Sequence, residues 1–207
     1  MLQPKERFIF YHFVRCYLKK NRPIGSKYLA KTLNFKFSPP LLRLYFRRLA
    51  KKGLILNSYD FKGRLPSDKG WKYYLFGFNL NPEIKLNYQN LEESIKKYLY
   101  FSRSALIVIE ENRKSFLKGL NYLADGLAQK KESLVDALDL IEYLLSTFDL
   151  ISEDIGIKIG KEIKISKTGE LALGFVNQPK RSYLFLGPKR NYYHTLWSLL
   201  NEIKKRI

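Results

Sequence analysis

The chain has 207 residues, 45% of them hydrophobic, enough for one ordinary core or two small ones, and its formal charge of +19 exceeds what solubility needs. Such a balance points to a polyanion, nucleic acid or an anionic membrane surface. The single cysteine, Cys16, excludes an internal disulfide and a Cys-rich zinc site. No apolar run of about 18 residues supports a membrane span, and the start MLQPKERFIF lacks a secretory pattern, so a cytoplasmic protein with no membrane contact is expected.

The charge is unevenly placed. Residues 1–79 hold 18 Lys and Arg against 3 Asp and Glu, a balance of +15, whereas residues 80–207 hold 20 against 16. A merely basic surface would not concentrate its charge this way, which favours an anion-docking face in the first 79 residues.

Residues 4–20 place Phe8, Tyr11, Val14 or Cys16, and Leu18 at helical spacing, predicting a helix that Asn21, Arg22 and Pro23 stop; Cys16 packs there as a small hydrophobe. Ser26 is expected to cap a short helix over KYLAKTL. After a break at 34–37, Ser38 caps a second one, with Pro39 at the first position, where a missing N–H costs nothing, and Gly53 as its left-handed stop. The 3.6-residue period turns Leu42, Tyr45 or Phe46, and Leu49 inward, and Pro40, Leu41, Arg43, Leu44, Arg47, Arg48 and Lys51 outward. The strand LILN, the turn-rich SYDFKG and a second strand around Arg64 and Leu65 read as a two-stranded wing, and Ser67 and Asp68 cap a closing helix, DKGWKYYLFGF. Together these elements predict a winged helix-turn-helix.

Residues 79–90 are polar and aperiodic and coincide with the fall in charge. The expected organisation is a DNA-binding domain over 1–79, a linker over 80–90 and a second domain over 91–207. That domain reads as a helix near 90–101, strands ALIVIEE and KSFLKG, a helical block over 120–148 carrying Leu123, Leu127, Leu134, Leu138, Ile141 and Leu145, strands GIKIG, ELALGFV and SYLFLG, and a terminal helix from Arg190. The class is α+β with a mainly antiparallel sheet.

RPIGSKYLAKTLNFKFSP, KKGLI, GRLPSDKGWKYY and, later, GLNYLADGLAQ, GIKIG and YLFLGPKRNYY stand in the order found in the HrcA heat-inducible transcription repressors, and the sequence resembles a shortened, divergent member of that family. The resemblance implies a winged-helix DNA-binding domain, a GAF-like second domain, homodimerisation, an inverted-repeat operator upstream of chaperone genes, and activity maintained by a chaperonin. It also has departures. Where the family reads Ala-Thr-Ile-Arg-Asn-Asp after the Ser-Pro pair, this chain has Pro40-Leu41-Leu42-Arg43-Leu44-Tyr45; at the wing, His-Thr-Ser-Ala-Gly-Arg is replaced by Tyr59-Asp60-Phe61-Lys62-Gly63-Arg64. No long helical insertion separates Ile109 from Phe116, so the customary dimerisation insert is expected to be absent. A dimer would then be weak or DNA-assisted, and would use the helix near 90–101 or the terminal helix.

Cationic side chains and helix starts are the natural phosphate donors, which nominates Lys27, Arg47, Arg48, Lys62, Arg64 and Lys69, with the helix starts at Ser26 and Ser38. Arg43 can reach guanine O6 and N7, while Leu41 and Leu44 either touch thymine methyls or simply pack. No Asn or Gln lies on that helix, so the usual adenine reader is missing. Trp71, Tyr73, Tyr74 and Phe76 have the spacing of core residues rather than of an RNA-stacking surface. His12 and His194 fall in different predicted domains, and neither a phosphate-binding loop nor a dinucleotide fingerprint occurs, so no catalysis, cofactor or metal is expected. Gly187-Pro188-Lys189-Arg190, before the last helix, is either a turn or an anion site at a helix start. A small-molecule effector in the second domain would rest on fold analogy alone. The function expected is a DNA-binding repressor of heat-shock genes; the alternative is a non-specific DNA-binding or protein-interaction adaptor.

Overall fold

In the computed structural model, which describes residues 2–20, 22–58, 63–78, 80–112, 114–128, 131–147 and 153–206, the chain forms two units, Met1–Asn79 and Leu80–Ile207.

The first unit opens with α1 (Pro4–Lys20), which buries Ile9, Phe10, Phe13, Val14 and Cys16. Spacing alone had Phe8, Tyr11 and Leu18 inward; they are half-buried. Aromatic residues flank the buried stripe, and other rings cover them: Phe37 lies 6.0 Å from Phe8, and Phe78 lies 5.5 Å from Tyr11. Burial pushes the Cys16 thiol up, as suits a packed side chain. α2 (Ser26–Thr32) is preceded by Gly25 as its N-cap, so Ser26 is the first helical residue and not the expected cap. Its C-terminal end turns through Asn34 and Phe35, both left-handed (φ 48° and 56°), and the Phe35 N–H closes on the Ala30 carbonyl at 2.8 Å. α3 (Pro39–Lys51) starts at Ser38, whose hydroxyl accepts from the Leu41 N–H at 3.4 Å, and the chain leaves it through Gly53 at φ 73°.

Strands β1 (Ile55–Asn57) and β2 (Arg64–Pro66) pair antiparallel with Leu56 opposite Leu65. A bridge between Ile24 and Arg64 ties this hairpin to the α1–α2 loop. α4 (Asp68–Gly77) is capped by the Ser67 hydroxyl, which accepts from the Gly70 N–H at 2.9 Å and donates to the Gly53 carbonyl at 2.5 Å. Position 70 requires glycine: a Cβ there would stand 2.1 Å from the Leu54 carbonyl oxygen. Trp71 and Tyr74 are buried, whereas Phe76 is exposed.

The second unit is a three-layer sandwich of α+β class. Its sheet has the order β4–β3–β7–β6–β5 and is antiparallel throughout, with β3 (Ala105–Glu110), β4 (Ser115–Lys118), β5 (Ile155–Ile159), β6 (Leu171–Gln178) and β7 (Arg181–Pro188). On one face, α6 (Leu120–Leu127) and α7 (Lys131–Ser146) pack Leu123, Leu127, Ala137, Leu140, Ile141 and Leu144 on Ile107, Leu173, Phe175, Leu184 and Leu186. α5 (Leu91–Ser102) and α8 (Tyr193–Lys205) lie on the other face, with Tyr98 of α5 5.8 Å from Phe185. The single helical block expected over 120–148 is therefore two helices. Leu138 and Leu145 face outward, because the stripe α7 buries runs through 137, 140, 141 and 144.

Residues 80–90 contain neither helix nor strand, yet they are no free tether. Ile84 is buried with its N–H on the Thr195 hydroxyl at 2.9 Å, and the Tyr88 hydroxyl donates to Ser198 at 2.7 Å. The apolar stripe of α8, one of the two surfaces expected for self-association, is used inside this unit: Tyr193, Leu196, Leu199, Leu200 and Ile203 are all buried.

Candidate nucleic-acid interface

Three local devices fix α3. Ser38 and Pro39 start it, Leu42, Tyr45, Phe46 and Leu49 lock one side into the core, and the Lys52 ammonium at its end meets the Glu6 carboxylate of α1 at 2.5 Å. The opposite side is left to solvent. Leu41, Arg43, Arg47, Arg48 and Lys51 are exposed and Leu44 is half-buried, so three arginines and a lysine share a face with two leucines. The Arg48 guanidinium lies over the Tyr45 ring, 5.5 Å from its centroid, which preorders it without neutralising it.

The other nominated residues surround this helix in sequence and differ in availability. Lys27 on α2 and Lys69 on α4 are exposed, Ser26 is half-buried, and Ser38 is exposed at its cap. Arg64 is half-buried, with its guanidinium on the Gly63 carbonyl at 3.2 Å and its main chain bonded both ways to Ile24, so it braces the hairpin as well as carrying charge. Lys62 lies outside the described residues, as do 59–61. Burial, with the charges of Arg15 and Lys36, pushes His12 below its ordinary value.

Sequence reasoning passed over Phe35. Its ring is 66% exposed at the left-handed turn leading into α3, an unusual conformation for an aromatic residue. The only signal was Asn34, a residue tolerated in that conformation.

Of Gly187–Arg190, Gly187 and Pro188 end β7 and the chain bends only at Lys189 and Arg190. The Lys189 N–H donates to the Glu170 carbonyl at 2.7 Å, and the start of α8 already has its anion: Glu83 accepts from the Thr195 N–H and hydroxyl at 2.9 and 3.0 Å and from His194 Nδ1 at 2.9 Å. Burial alone would raise the Glu83 carboxyl, but His194 and these donors hold it below the usual range. Among the described residues no cluster of His, Cys, Asp and Glu gathers as a metal site, and no helix is long and apolar enough to cross a membrane.

No family model matches the chain. Curated relatives do: it is 31% identical over 157 residues to the heat-inducible transcription repressor HrcA of Phytoplasma mali, covering 73% of this chain and 44% of that protein. It is 27% identical over 175 residues to the HrcA of Thermodesulfovibrio yellowstonii, covering 80% of this chain and 49% of that protein. The HrcA of Onion yellows phytoplasma matches at 26% over 178 residues, covering 84% of this chain and 51% of that one. The chain is a divergent member of the HrcA family. It spans about half the length of the HrcA proteins it matches. A solved structure described only as a hypothetical protein superposes with a TM-score of 0.79 over 100% of this chain and 97% of that one, at 15% identity, a likeness of fold alone.

Proposed function

We propose that this HrcA-family chain is a cytoplasmic, non-enzymatic repressor of transcription that occupies promoter DNA. In this reading residues 1–79 are a winged helix-turn-helix, α3 is the recognition helix laid in the major groove, and the β1–β2 hairpin is the wing; residues 91–207 are a GAF-like domain without the usual insert. One observation carries the proposal: α3 buries a complete apolar stripe while keeping Arg43, Arg47, Arg48 and Lys51 exposed on a unit with a balance of +15. Arg47, Arg48, Lys27 and Lys69 supply phosphate contacts, joined by Lys62 and Arg64 of the wing and by the helix starts at Ser26 and Ser38. Arg43 reads guanine, and Leu41 and Leu44 lie against thymine methyls. The relatives' name supports heat-shock control, and the resemblance extends the proposal to an inverted-repeat operator, a homodimer and a chaperonin partner.

A second reading is favoured by one feature. The outward side of α3 carries neither Asn nor Gln, so a DNA-binding protein with little operator selection would share its electrostatics. Competition separates the two: a repressor keeps its operator complex against excess random duplex, on the order of a thousandfold or more, and a non-selective binder does not.

A further inference from the structure

Phe35 is more strained and more exposed than its turn requires. α2 ends in a Schellman closure: the Asn34 N–H donates to the Lys31 carbonyl at 3.1 Å and the Phe35 N–H to the Ala30 carbonyl at 2.8 Å. One left-handed residue completes that motif, and Asn34 supplies it at φ 48°, a conformation asparagine tolerates. Phe35 is left-handed as well, at φ 56°, where a bulky side chain is an outlier held only by its surroundings. The motif also tends to set an apolar residue in this place against the last turn of the helix, yet the Phe35 ring is 66% exposed. Phe37, two residues on, does pack, with its ring 6.0 Å from Phe8 and 6.3 Å from Tyr45.

The ring stands in a cationic setting. Lys31 and Lys36 on either side of it are exposed, and Ser38, three residues on, caps the start of α3. The unit as a whole holds 18 Lys and Arg against 3 Asp and Glu. A partner for this turn must be a polyanion that also offers an apolar face to a ring, and duplex DNA does both, with phosphates alternating along each strand with deoxyribose. We propose that Phe35 contacts DNA, its ring packed on a deoxyribose of the strand that borders the groove entered by α3. The inference rests on the reading of α3 as the recognition helix: such a helix turns its N-terminal residues to the base edges, which brings the turn just before it to the flanking backbone. The contact is apolar, so it adds affinity that salt does not screen, unlike that of Arg47 and Arg48. The strained backbone holds the ring out before DNA arrives, so that little ordering is left for the binding step.

Equilibrium binding of the full chain to a mixed-sequence duplex over a range of salt concentrations, with thermal melts alongside, tests this. Phe35→Ala should raise the dissociation constant about tenfold at every salt concentration and leave the slope of log affinity against log salt unchanged, since an apolar contact is lost and no counterion release with it. Phe35→Asn should lose the same affinity while melting no lower than wild type, because asparagine tolerates the left-handed backbone. Phe35→Trp keeps a ring and should bind within about twofold of wild type. Unchanged affinity in Phe35→Ala overturns the proposal. So does a loss that comes with a flattened salt slope, which would make the ring a prop for the arginines of α3. A lower melt in Phe35→Asn would make it a packing residue, and a Phe35→Trp chain as weak as Phe35→Ala would exclude a ring contact. Should Phe35→Ala fail to fold, Phe35→Asn and Phe35→Trp decide. A wild type that binds no duplex would sink the DNA reading itself, an outcome distinct from a wild type that binds and a Phe35→Ala that binds equally.

Discussion

Glu6, at the start of α1, and Lys52, just past the end of α3, meet at 2.5 Å and close the helical unit at the end of α3 opposite Ser38. The Glu6 side chain is 5% exposed and also accepts from the Gln3 N–H at 3.0 Å. The Lys52 hydrogen bond holds its carboxyl below the ordinary value of 4.5, against the opposing effect of burial.

Lys52→Met leaves that carboxylate buried with one main-chain donor. The expected cost is about 1 kcal/mol, at the low end for a stranded buried acceptor because the lysine side chain is 40% exposed. The sign with pH follows from the lowered carboxyl: its stabilisation is present above pH 4.5 and is lost as pH falls through the folded-state value. Melting temperatures across pH 3–7 should therefore converge for wild type and Lys52→Met at the acid end. A constant gap would remove Glu6 from the account.

Glu83 plays the corresponding part in the second unit, 111 residues from His194 and with a side chain 5% exposed. Glu83→Ala removes the acceptor for four donors of α8 and should cost about 2–4 kcal/mol in urea unfolding, with Glu83→Gln costing less, since one carbonyl oxygen remains. The Glu83 carboxyl is also lowered, so wild type loses this contribution as pH drops below 4.5, and the acid limb should flatten in Glu83→Gln. Equal acid sensitivity in both proteins would contradict the assignment.

Replacing Arg47 and Arg48 by Ala together should weaken binding to every duplex. The slope of log affinity against log salt should fall by about 1–2 units, as two phosphate contacts release fewer counterions. Both residues are exposed, so the melt should barely move. An unchanged slope would place them off the DNA.

Arg43→Ala distinguishes base reading from phosphate contact. Loss of a guanine contact costs about 1–3 kcal/mol on the preferred sequence and little on random DNA, relaxing preference at one position. Equal losses on both would make Arg43 another phosphate ligand.

α3 was legible in the sequence because everything defining it is local: a serine cap, proline at the first position, a 3.6-residue stripe ending at Leu49 and a left-handed glycine. α1 was harder, since aromatic residues on several sides blur its period and the buried side is settled by which neighbours arrive. Ser26 looked like a cap, but the extended residue is Gly25, whose conformation follows from the Ile24–Arg64 bridge some 40 residues on. The docking of 80–90 was invisible for a similar reason, as Glu83 carries no local pattern and its partners lie on the last helix. Of the nominated contacts, the outward residues of α3 were readable from period alone, while the second hydrogen-bonding role of Arg64 was not.

Selection of bound genomic fragments by the full chain at physiological salt is the most direct test of the repressor account. It predicts that the retained fragments share one inverted repeat, and that a duplex carrying this repeat survives competition by random DNA on the order of a thousandfold or more. Retention without a common repeat, at an affinity equal to that for random duplex, would contradict the account and leave a non-selective DNA-binding protein.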